Sequence, residues 1–213
     1  MKKAAIFDLD GTLLNTSIDL MNAVNHALKS LGFIEVAVDE VIKKTGRGIK
    51  KLIEDIIDTS DIEIVQKALS LFKDYYFNNC TIYTYEYDGI KDVLLSLKEK
   101  GTKLAVVSNK SQELTSKIIS FYFDDIFDFI LGEREGIKRK PERDMIDLTL
   151  KELNVKGEEV YYIGDSLIDL KTAENSNLDF LNVSYGFVEK EILKLNGSKI
   201  VLDEPKEILD YFK

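Results

Sequence analysis

Two aspartates near the start of the chain, Asp8 and Asp10, are the residues whose types and spacing most clearly suggest chemistry. They follow Ala4–Phe7, an apolar run typical of a buried β-strand, and Gly11 allows a sharp turn after them. Because side chains alternate along an extended chain, both carboxylates fall on one side at the strand's carboxyl end, where open α/β sheets bind ligands. Such a pair repels unless a cation or proton shares the site. The spacing therefore favours chemistry over a simple Asp-Gly turn.

A second polar segment, Ser108-Asn109, follows the apolar residues Val106-Val107. We expect the strand to end at Val107 and Ser108 and Asn109 to open the next helix. Backbone N–H groups and a serine hydroxyl at a helix start can bind phosphate. An ordinary helix cap would use the same residues, so this segment alone leaves both interpretations open.

A third candidate is Lys140, which is followed by Pro141, one of only two prolines in the chain. Proline at this point indicates a helix start and fixes the backbone just after Lys140. The lysine could therefore be directed at a site, whereas Lys138 and Arg139 are typical of solvated neighbours. Without further support, a basic surface loop would be the better explanation of this segment.

The fourth segment, residues 162–169, reads Tyr-Ile-Gly-Asp-Ser-Leu-Ile-Asp and follows another apolar run. Asp165 falls at a strand end, and Asp169 comes one helical turn later. Either aspartate could simply cap a helix. Together, however, the strand ends offer carboxylates, a lysine and a hydroxyl to one crevice, which is the composition of a Mg²⁺–phosphate site.

The elements that must position these groups alternate between strand and helix along most of the chain. Short apolar runs predict strands at 4–7, 104–107, 160–163 and 180–183, with weaker candidates at 129–131 and 199–202. Helical patterns cover 90–100, 112–121, 143–153, 168–175 and 205–212. This alternation predicts an α/β fold with a doubly wound, parallel-sheet, Rossmann-like core.

One long stretch breaks the alternation, because residues 17–79 contain only helical patterns, at 18–31, 39–44, 49–57 and 61–77. About 60 residues without a strand are too many for a single crossover connection. We therefore expect a small α-helical cap domain at 17–81, inserted into a catalytic core formed by 1–16 and 82–213.

Composition excludes several other kinds of site. The 213 residues include one cysteine, Cys80, and one histidine, His26, so an internal disulfide and a cysteine- or histidine-rich metal site are excluded. The net charge of −9 disfavours binding to nucleic acid or anionic membranes. No apolar stretch approaches the roughly 18 residues of a membrane span. We expect a cytoplasmic monomer or homodimer with neither nucleic-acid nor membrane partners.

Taken together, the motifs resemble those of the haloacid dehalogenase-like hydrolase superfamily. Residues 8–13, Asp-Leu-Asp-Gly-Thr-Leu, are similar to its first motif, Ser108-Asn109 to its second, Lys140-Pro141 to its third and 164–169 to its fourth. Within the superfamily, the likeness is greatest to phosphoglycolate phosphatase-type and β-phosphoglucomutase-like enzymes with a helical cap. The resemblance implies a phosphatase that hydrolyses a small phosphorylated metabolite with Mg²⁺ as cofactor.

The resemblance also implies roles for the aspartates. Asp8 would attack phosphorus and form an aspartyl-phosphate, and Asp10 would protonate the leaving oxygen and then activate water. The metal would be held by Asp8, by the backbone carbonyl of Asp10 and by Asp165.

The remaining motif residues would stabilise the negative charge of the transferred phosphoryl group. Ser108, Asn109 and Lys140 would bind the phosphoryl oxygens, and Lys140 thereby counts among the catalytic residues. Asp169 would not contact the metal itself but would orient Lys140 or a metal-bound water.

Specificity is expected to come from the cap, where residues 43–51 carry five basic side chains and no acidic one. Gly46 and Gly48 bracket Arg47, which could bind a second anionic group of the substrate, although a solvated basic turn would look the same. Two alternatives to a phosphatase remain open on sequence grounds: a phosphosugar mutase of the β-phosphoglucomutase type, and an aspartate-phosphorylated signalling domain.

Overall fold

The computed structural model describes residues 2–59 and 61–213, so Met1 and Ser60 lie outside the described residues. The chain forms two compact units. The first, here called the sheet unit, combines Met1–Leu14 with Glu86–Lys213, and the second, the helical unit, is Asn15–Tyr85. That the helical unit acts as a cap remains a prediction.

The sheet unit is built on six parallel strands. They are β1 (Ala4–Phe7), β4 (Lys103–Ser111), β5 (Phe129–Glu133), β6 (Val160–Gly164), β7 (Asp179–Val183) and β8 (Val201–Leu202). Two short strands, β2 (Leu14–Asn15) and β3 (Tyr85–Glu86), form a separate two-stranded sheet. The order of the large sheet is β5-β4-β1-β6-β7-β8. Numbered within that sheet, this is 3-2-1-4-5-6, the doubly wound order of a Rossmann-like fold, so the predicted fold class is confirmed.

Strand β1 lies in the middle of the sheet because every one of its residues is apolar and can be buried on both faces. Its residues pair in parallel with β4 on one side, from Ala4 opposite Lys103, and with β6 on the other, from Ala4 opposite Val160. All four side chains of β1 are fully buried. Alternation sends Ala4 and Ile6 to one face and Ala5 and Phe7 to the other, so both faces must be covered.

Helices flank this sheet. They are α5 (Ile90–Glu99), α6 (Gln112–Tyr122), α7 (Asp144–Leu153), α8 (Leu167–Ser176) and α9 (Lys190–Leu195), with 3₁₀ helices at Gly157–Glu159 and Pro205–Tyr211. The face that carries Ile6 packs against Met145 and Ile146 of α7 and Ala173 of α8. Helix α9 was not predicted, and the predicted helix at 205–212 is of the tighter 3₁₀ type.

The helical unit contains α1 (Ser17–Ser30), α2 (Val38–Lys44), α3 (Ile49–Ile57) and α4 (Ile62–Asn79). The Asp61 carboxylate caps α4 by accepting the N–H groups of Glu63 and Ile64. The one histidine, His26, stacks on Tyr75 with ring centroids 4.5 Å apart. Among the described residues of the chain, no helix combines the length and apolar character needed to cross a membrane.

Candidate active site

The sheet brings two of the predicted residues, Asp8 and Asp165, together at the carboxyl ends of its central strands. Asp8 follows β1 directly, Asp165 follows β6 directly, and the N–H of Asp8 donates to the carbonyl of Ile163 at 2.9 Å. The topology reverses beside β1, because β4 lies on one side of it and β6 on the other. Such a switch point is where open α/β sheets form a ligand crevice.

Lys140 lies at the centre of the polar cluster. Its ammonium group donates to Asp8 Oδ1 at 2.7 Å, to Asp169 Oδ1 at 2.8 Å and to the Tyr162 hydroxyl at 3.0 Å. The Tyr162 hydroxyl in turn donates to Asp169 Oδ1 at 2.6 Å. The lysine is 4% exposed and Asp169 is fully buried. All three donor positions of the ammonium are therefore directed at fixed partners.

In this cluster the carboxyl groups of Asp8, Asp165 and Asp169 lie near a single ammonium group, and this imbalance contributes to the pKa shifts of Asp8 and Asp165. Burial raises the pKa of Asp8 to about 7, and the neighbouring Asp169 adds to that effect while Lys140 opposes it. Burial likewise raises the pKa of Asp165 well above its usual range, with Asp169 and Asp8 contributing. Burial alone would lower the pKa of Lys140, but Asp169 and Asp8 together raise it above its ordinary value. Lys140 therefore stays protonated, and the carboxylates favour a further cation.

Asp165 is held against the backbone of two glycine-containing turns. Its Oδ1 accepts from the Thr12 hydroxyl at 3.1 Å, and its Oδ2 accepts from the N–H of Phe187 at 2.7 Å. Gly11 has φ +85°, and a Cβ there would collide with the Asp165 carboxylate. A Cβ at Gly186 would collide with the carbonyl oxygen of Gly11 and with Asp165. Only glycine allows this close approach at either position.

Asp169 combines a local and a long-range role. Its Oδ2 accepts from the N–H of Ser166 at 3.2 Å and from the Ser166 hydroxyl at 2.5 Å, and the Asp169 N–H donates back to that hydroxyl. These contacts form a capping box at the start of α8. Since Asp169 Oδ1 accepts from Lys140 and Tyr162, both of its oxygens already have partners.

The placement of Ser108 and Asn109 corrects one prediction. Strand β4 continues to Ser111 and α6 begins at Gln112, so both residues lie in a strand and do not open the helix. The Asn109 side chain holds the backbone of Lys140, because its Nδ2 donates to the Lys140 carbonyl and its Oδ1 accepts the Lys140 N–H, both at 2.9 Å. This clamp was not visible in the sequence.

The interpretation of Pro141 as a helix start is also wrong. Helix α7 begins at Asp144, three residues further on, and the Lys140–Pro141 peptide is cis. The Pro141 carbonyl accepts from the Asn175 side chain at 2.8 Å. The loop that carries Lys140 is thus fixed by side-chain amides on both sides of the peptide bond, not by entry into a helix.

Asp10 contacts a residue that sequence reasoning passed over. The ammonium group of Lys110 lies 3.0 Å from Asp10 Oδ1, and the two side chains are 6% and 15% exposed. Lys110 stands directly after Ser108-Asn109 in the sequence. Its position next to polar motif residues was the available signal.

The donor set fits a hard divalent cation. Carboxylate oxygens of Asp8, Asp165 and Asp169 all lie within 4.8 Å of one another, and the three residues are buried. Three carboxylates against the single charge of Lys140 leave a negative balance, which a divalent cation would offset. Mg²⁺ prefers oxygen ligands of this kind. Asp169 accepts four hydrogen bonds, from Lys140, Tyr162 and twice from Ser166, whereas Asp165 accepts two. Asp8 and Asp165 are therefore the better candidates for metal contact.

Arg47, the residue predicted to recognise a second anion, belongs to the helical unit. It is 52% exposed on its side chain and lies 2.5 Å from Asp55 Oδ2, while Lys51 lies 2.6 Å from Asp55 Oδ1. Lys51, Arg47 and Lys44 lower the pKa of Asp55, the hydrogen bond from Lys51 having the largest effect. The charge of the basic segment 43–51 is therefore partly offset by Asp55 on α3.

Comparison with known proteins agrees with this architecture. Residues 5–183 match the model of the family described as haloacid dehalogenase-like hydrolase. The chain is 32% identical to a phosphoglycolate phosphatase of Colwellia psychrerythraea, covering 98% of this chain and 96% of that protein. It is also 32% identical to a phosphoglycolate phosphatase of Aquifex aeolicus, covering 97% and 95%.

A solved structure with a similar fold aligns with nearly the whole chain. It is that of a Lactobacillus delbrueckii subsp. bulgaricus protein provisionally named a phosphoglycolate phosphatase, with a TM-score of 0.94 and 36% identity. The match covers 99% of this chain and 98% of that one. The chain therefore belongs to the haloacid dehalogenase-like hydrolases and is a phosphoric monoester hydrolase.

Proposed function

We propose that this enzyme is a Mg²⁺-dependent phosphatase that hydrolyses a small, phosphoglycolate-like phosphate monoester through an aspartyl-phosphate on Asp8. The observation that supports it most strongly is the environment of Asp8, a buried carboxylate at a central strand end, 2.7 Å from Lys140. The phosphoglycolate phosphatase relatives support the class of ester. Because Lys140 holds the Asp8 carboxylate in one orientation, the side chain does not have to rearrange before it attacks phosphorus.

In the first half-reaction, a carboxylate oxygen of Asp8 forms a bond to phosphorus as the ester P–O bond breaks. Asp10 donates a proton to the departing oxygen, so that an alcohol leaves instead of an alkoxide. In the second half-reaction, Asp10 takes a proton from the water that attacks phosphorus, and Asp8 is regenerated as the carboxylate. One carboxyl group thus serves as acid and then as base.

The charge on the transferred phosphoryl group needs positive partners. We assign this role to Lys140, the Ser108 hydroxyl and the backbone N–H of Asn109. Asn109 acts in addition through its side chain, which clamps the backbone of Lys140. Asp169 and Tyr162 fix the ammonium of Lys140 from the side away from Asp8.

Mg²⁺ would be held by Asp8, Asp165 and the backbone carbonyl of Asp10. When bound, it would neutralise charge on the phosphoryl oxygens and reduce the repulsion between Asp8 and an anionic substrate. Thr12 and the backbone of Phe187 keep the Asp165 carboxylate in place for this contact.

We propose that the helical unit acts as the cap expected at residues 17–81 and that it selects the substrate. Arg47 is the candidate ligand for a second anionic group, such as the carboxylate of a phosphoglycolate-like ester. Its ion pair with Asp55 places a competing carboxylate beside it, so a substrate anion would share or displace Asp55.

The function is tested by measuring phosphate release from a panel of phosphoglycolate, sugar phosphates, nucleotides and pyrophosphate, with and without Mg²⁺. We expect turnover that requires the metal and is fastest for a small anionic monoester. Isomerisation of a sugar phosphate without phosphate release would identify a mutase instead. Absence of turnover on the whole panel would contradict the proposal.

Replacing Asp10 by asparagine should lower turnover by about 10²–10⁴-fold, the usual contribution of a general acid–base group. Because the amide cannot donate or accept the proton, alkyl phosphates should lose more activity than p-nitrophenyl phosphate, whose leaving group needs little protonation. The measurement is kcat/KM for both esters with matched parent protein. An equal loss for the two leaving groups would argue against the acid–base role.

Replacing Asp165 by alanine should raise the Mg²⁺ concentration required for half-maximal activity, because the hard cation loses one of few carboxylates. Raising Mg²⁺ should restore part of the activity. Thr12→Val is the companion variant, since it removes only the hydroxyl that contacts Asp165 and should shift the Mg²⁺ requirement less. An unchanged requirement in Asp165→Ala would show that Asp165 is not a metal ligand.

A further inference from the structure

Lys110 forms a largely buried ion pair with Asp10. Its Nζ lies 3.0 Å from Asp10 Oδ1, and its side chain is only 6% exposed. Bringing an ammonium group out of water costs free energy unless a partner offsets that cost, and a matched carboxylate does so. The pair is therefore built into the protein and is unlike the exposed ion pairs on its surface.

The backbone that carries Lys110 is fixed at both ends of the residue. The Lys110 N–H donates to the Ser108 hydroxyl at 3.2 Å, and the Thr115 hydroxyl donates to the Lys110 carbonyl at 3.2 Å. The register of β4 against β5 shifts between Val107 and Ser111, a β-bulge of the kind that redirects side chains next to active sites. The Lys110 side chain therefore extends from a backbone that hydrogen bonds hold in place.

The two lysines of the site contact different aspartates. Lys140 donates to Asp8 and Asp169, whereas Lys110 pairs with Asp10. We propose that Lys110 is a positioning residue that fixes the orientation of the Asp10 carboxyl group toward the leaving oxygen. The inference rests on the proposed role of Asp10 as the proton donor.

The physical basis is the geometry of proton transfer. A contact to Oδ1 restrains rotation of the carboxyl group about its Cβ–Cγ bond, so the direction of the second oxygen is set as well. Proton transfer requires heavy atoms within hydrogen-bond reach, and a small misplacement reduces the rate strongly. A lysine that acts in this way affects both proton transfers of Asp10, and only the first of them, protonation of the leaving group, depends on which ester is used.

The test compares an alkyl phosphate with p-nitrophenyl phosphate in Lys110→Met. We expect kcat/KM, which reports the first phosphoryl transfer, to fall by about 10–10²-fold on the alkyl ester, part of the full acid–base contribution, and to change little on the aryl ester. The control is Lys103→Met, on the same strand, whose Nζ donates to the Leu153 carbonyl at 2.5 Å and is not paired with Asp10. The control should keep both activities.

Two further variants make the result decisive. Lys110→Arg keeps the charge and should recover most of the activity on the alkyl ester. If Lys110→Met does not fold, Lys110→Gln, which keeps a donor without the charge, carries the same comparison. A folded, uncharged variant with the parent's ratio of alkyl to aryl activity would overturn the proposal.

A double-mutant cycle separates positioning from direct phosphate binding. If Lys110 acts through Asp10, Lys110→Met should add little to the loss already caused by Asp10→Asn. Inhibition by inorganic phosphate should then be unchanged in Lys110→Met. A further loss in the Asp10→Asn background, together with weaker phosphate inhibition, would overturn the proposal in favour of a phosphate ligand.

Failure of this inference is distinguishable from failure of the proposed function. If the parent enzyme turns over no phosphate ester, the proposed function is wrong. If the parent is active and Asp10→Asn shows the dependence on the leaving group while Lys110→Met does not, only the role of Lys110 is wrong.

Discussion

Asp8→Asn is expected to abolish phosphatase turnover, by about 10⁴-fold or more, with the fold intact. An amide cannot attack phosphorus, and the loss of an enzymatic nucleophile is among the largest single effects known. Stability should not fall, because the substitution removes a buried carboxylate whose pKa burial already raises to about 7. Lys140 keeps Asp169 and Tyr162 as partners in the variant.

The measurement is steady-state phosphate release, with urea denaturation of the same preparations. Asp147→Asn is a matched control, because Asp147 lies on α7 in an exposed ion pair with Arg143. The control should retain the parent's activity. Substantial turnover in folded Asp8→Asn protein would show that Asp8 is not the nucleophile.

Lys140→Met is expected to abolish activity and, unlike Asp8→Asn, to destabilise the protein. The variant leaves Asp8 and Asp169 buried with no cation between them, and removing one partner of a buried ion pair typically costs about 3–5 kcal/mol. Activity should fall as well, because the phosphoryl group loses its charged partner. Mg²⁺ should recover part of the lost stability, since it supplies positive charge to the same carboxylates.

The free energy of unfolding is measured by urea denaturation with and without Mg²⁺, next to Lys138→Met. Lys138 is two residues away and exposed, so its loss should change stability by about 0.5 kcal/mol or less. A Lys140→Met protein as stable as the Lys138→Met protein would contradict the role of Lys140 as the buried counter-ion.

Strands and helices with a clear hydrophobic pattern could be predicted from the sequence. Strand β1 is a run of four apolar residues, and the helix predicted at 61–77 covers nearly all of α4. The polar end of β4 could not be predicted, because residues 108–111 have no apolar pattern. They extend the strand through tertiary contacts, such as Ser111 opposite Glu133 of β5. Short elements such as α9 contain too few residues to show a period.

For the candidate site, the sequence identified residues in motifs but not the contacts between distant elements. Asp8, Asp165 and Lys140 stand out because each has a local pattern around it. Tyr162 does not, since a tyrosine in an apolar strand is typical of core packing, although its hydroxyl contacts Lys140, 22 residues away in sequence. Lys110 and Asp10 are 100 positions apart in the sequence, so no local spacing could indicate that they form a pair.

The covalent intermediate on Asp8 can be tested most directly by trapping it. Enzyme mixed with excess substrate and Mg²⁺ is quenched in acid within a single turnover, reduced with borohydride and digested for mass spectrometry. An aspartyl-phosphate is converted to homoserine by this treatment, so we expect homoserine at position 8, at no other aspartate, and not in Asp8→Asn. Active enzyme that is never labelled at position 8, although an established aspartyl-phosphate enzyme is labelled under the same conditions, would contradict the covalent route.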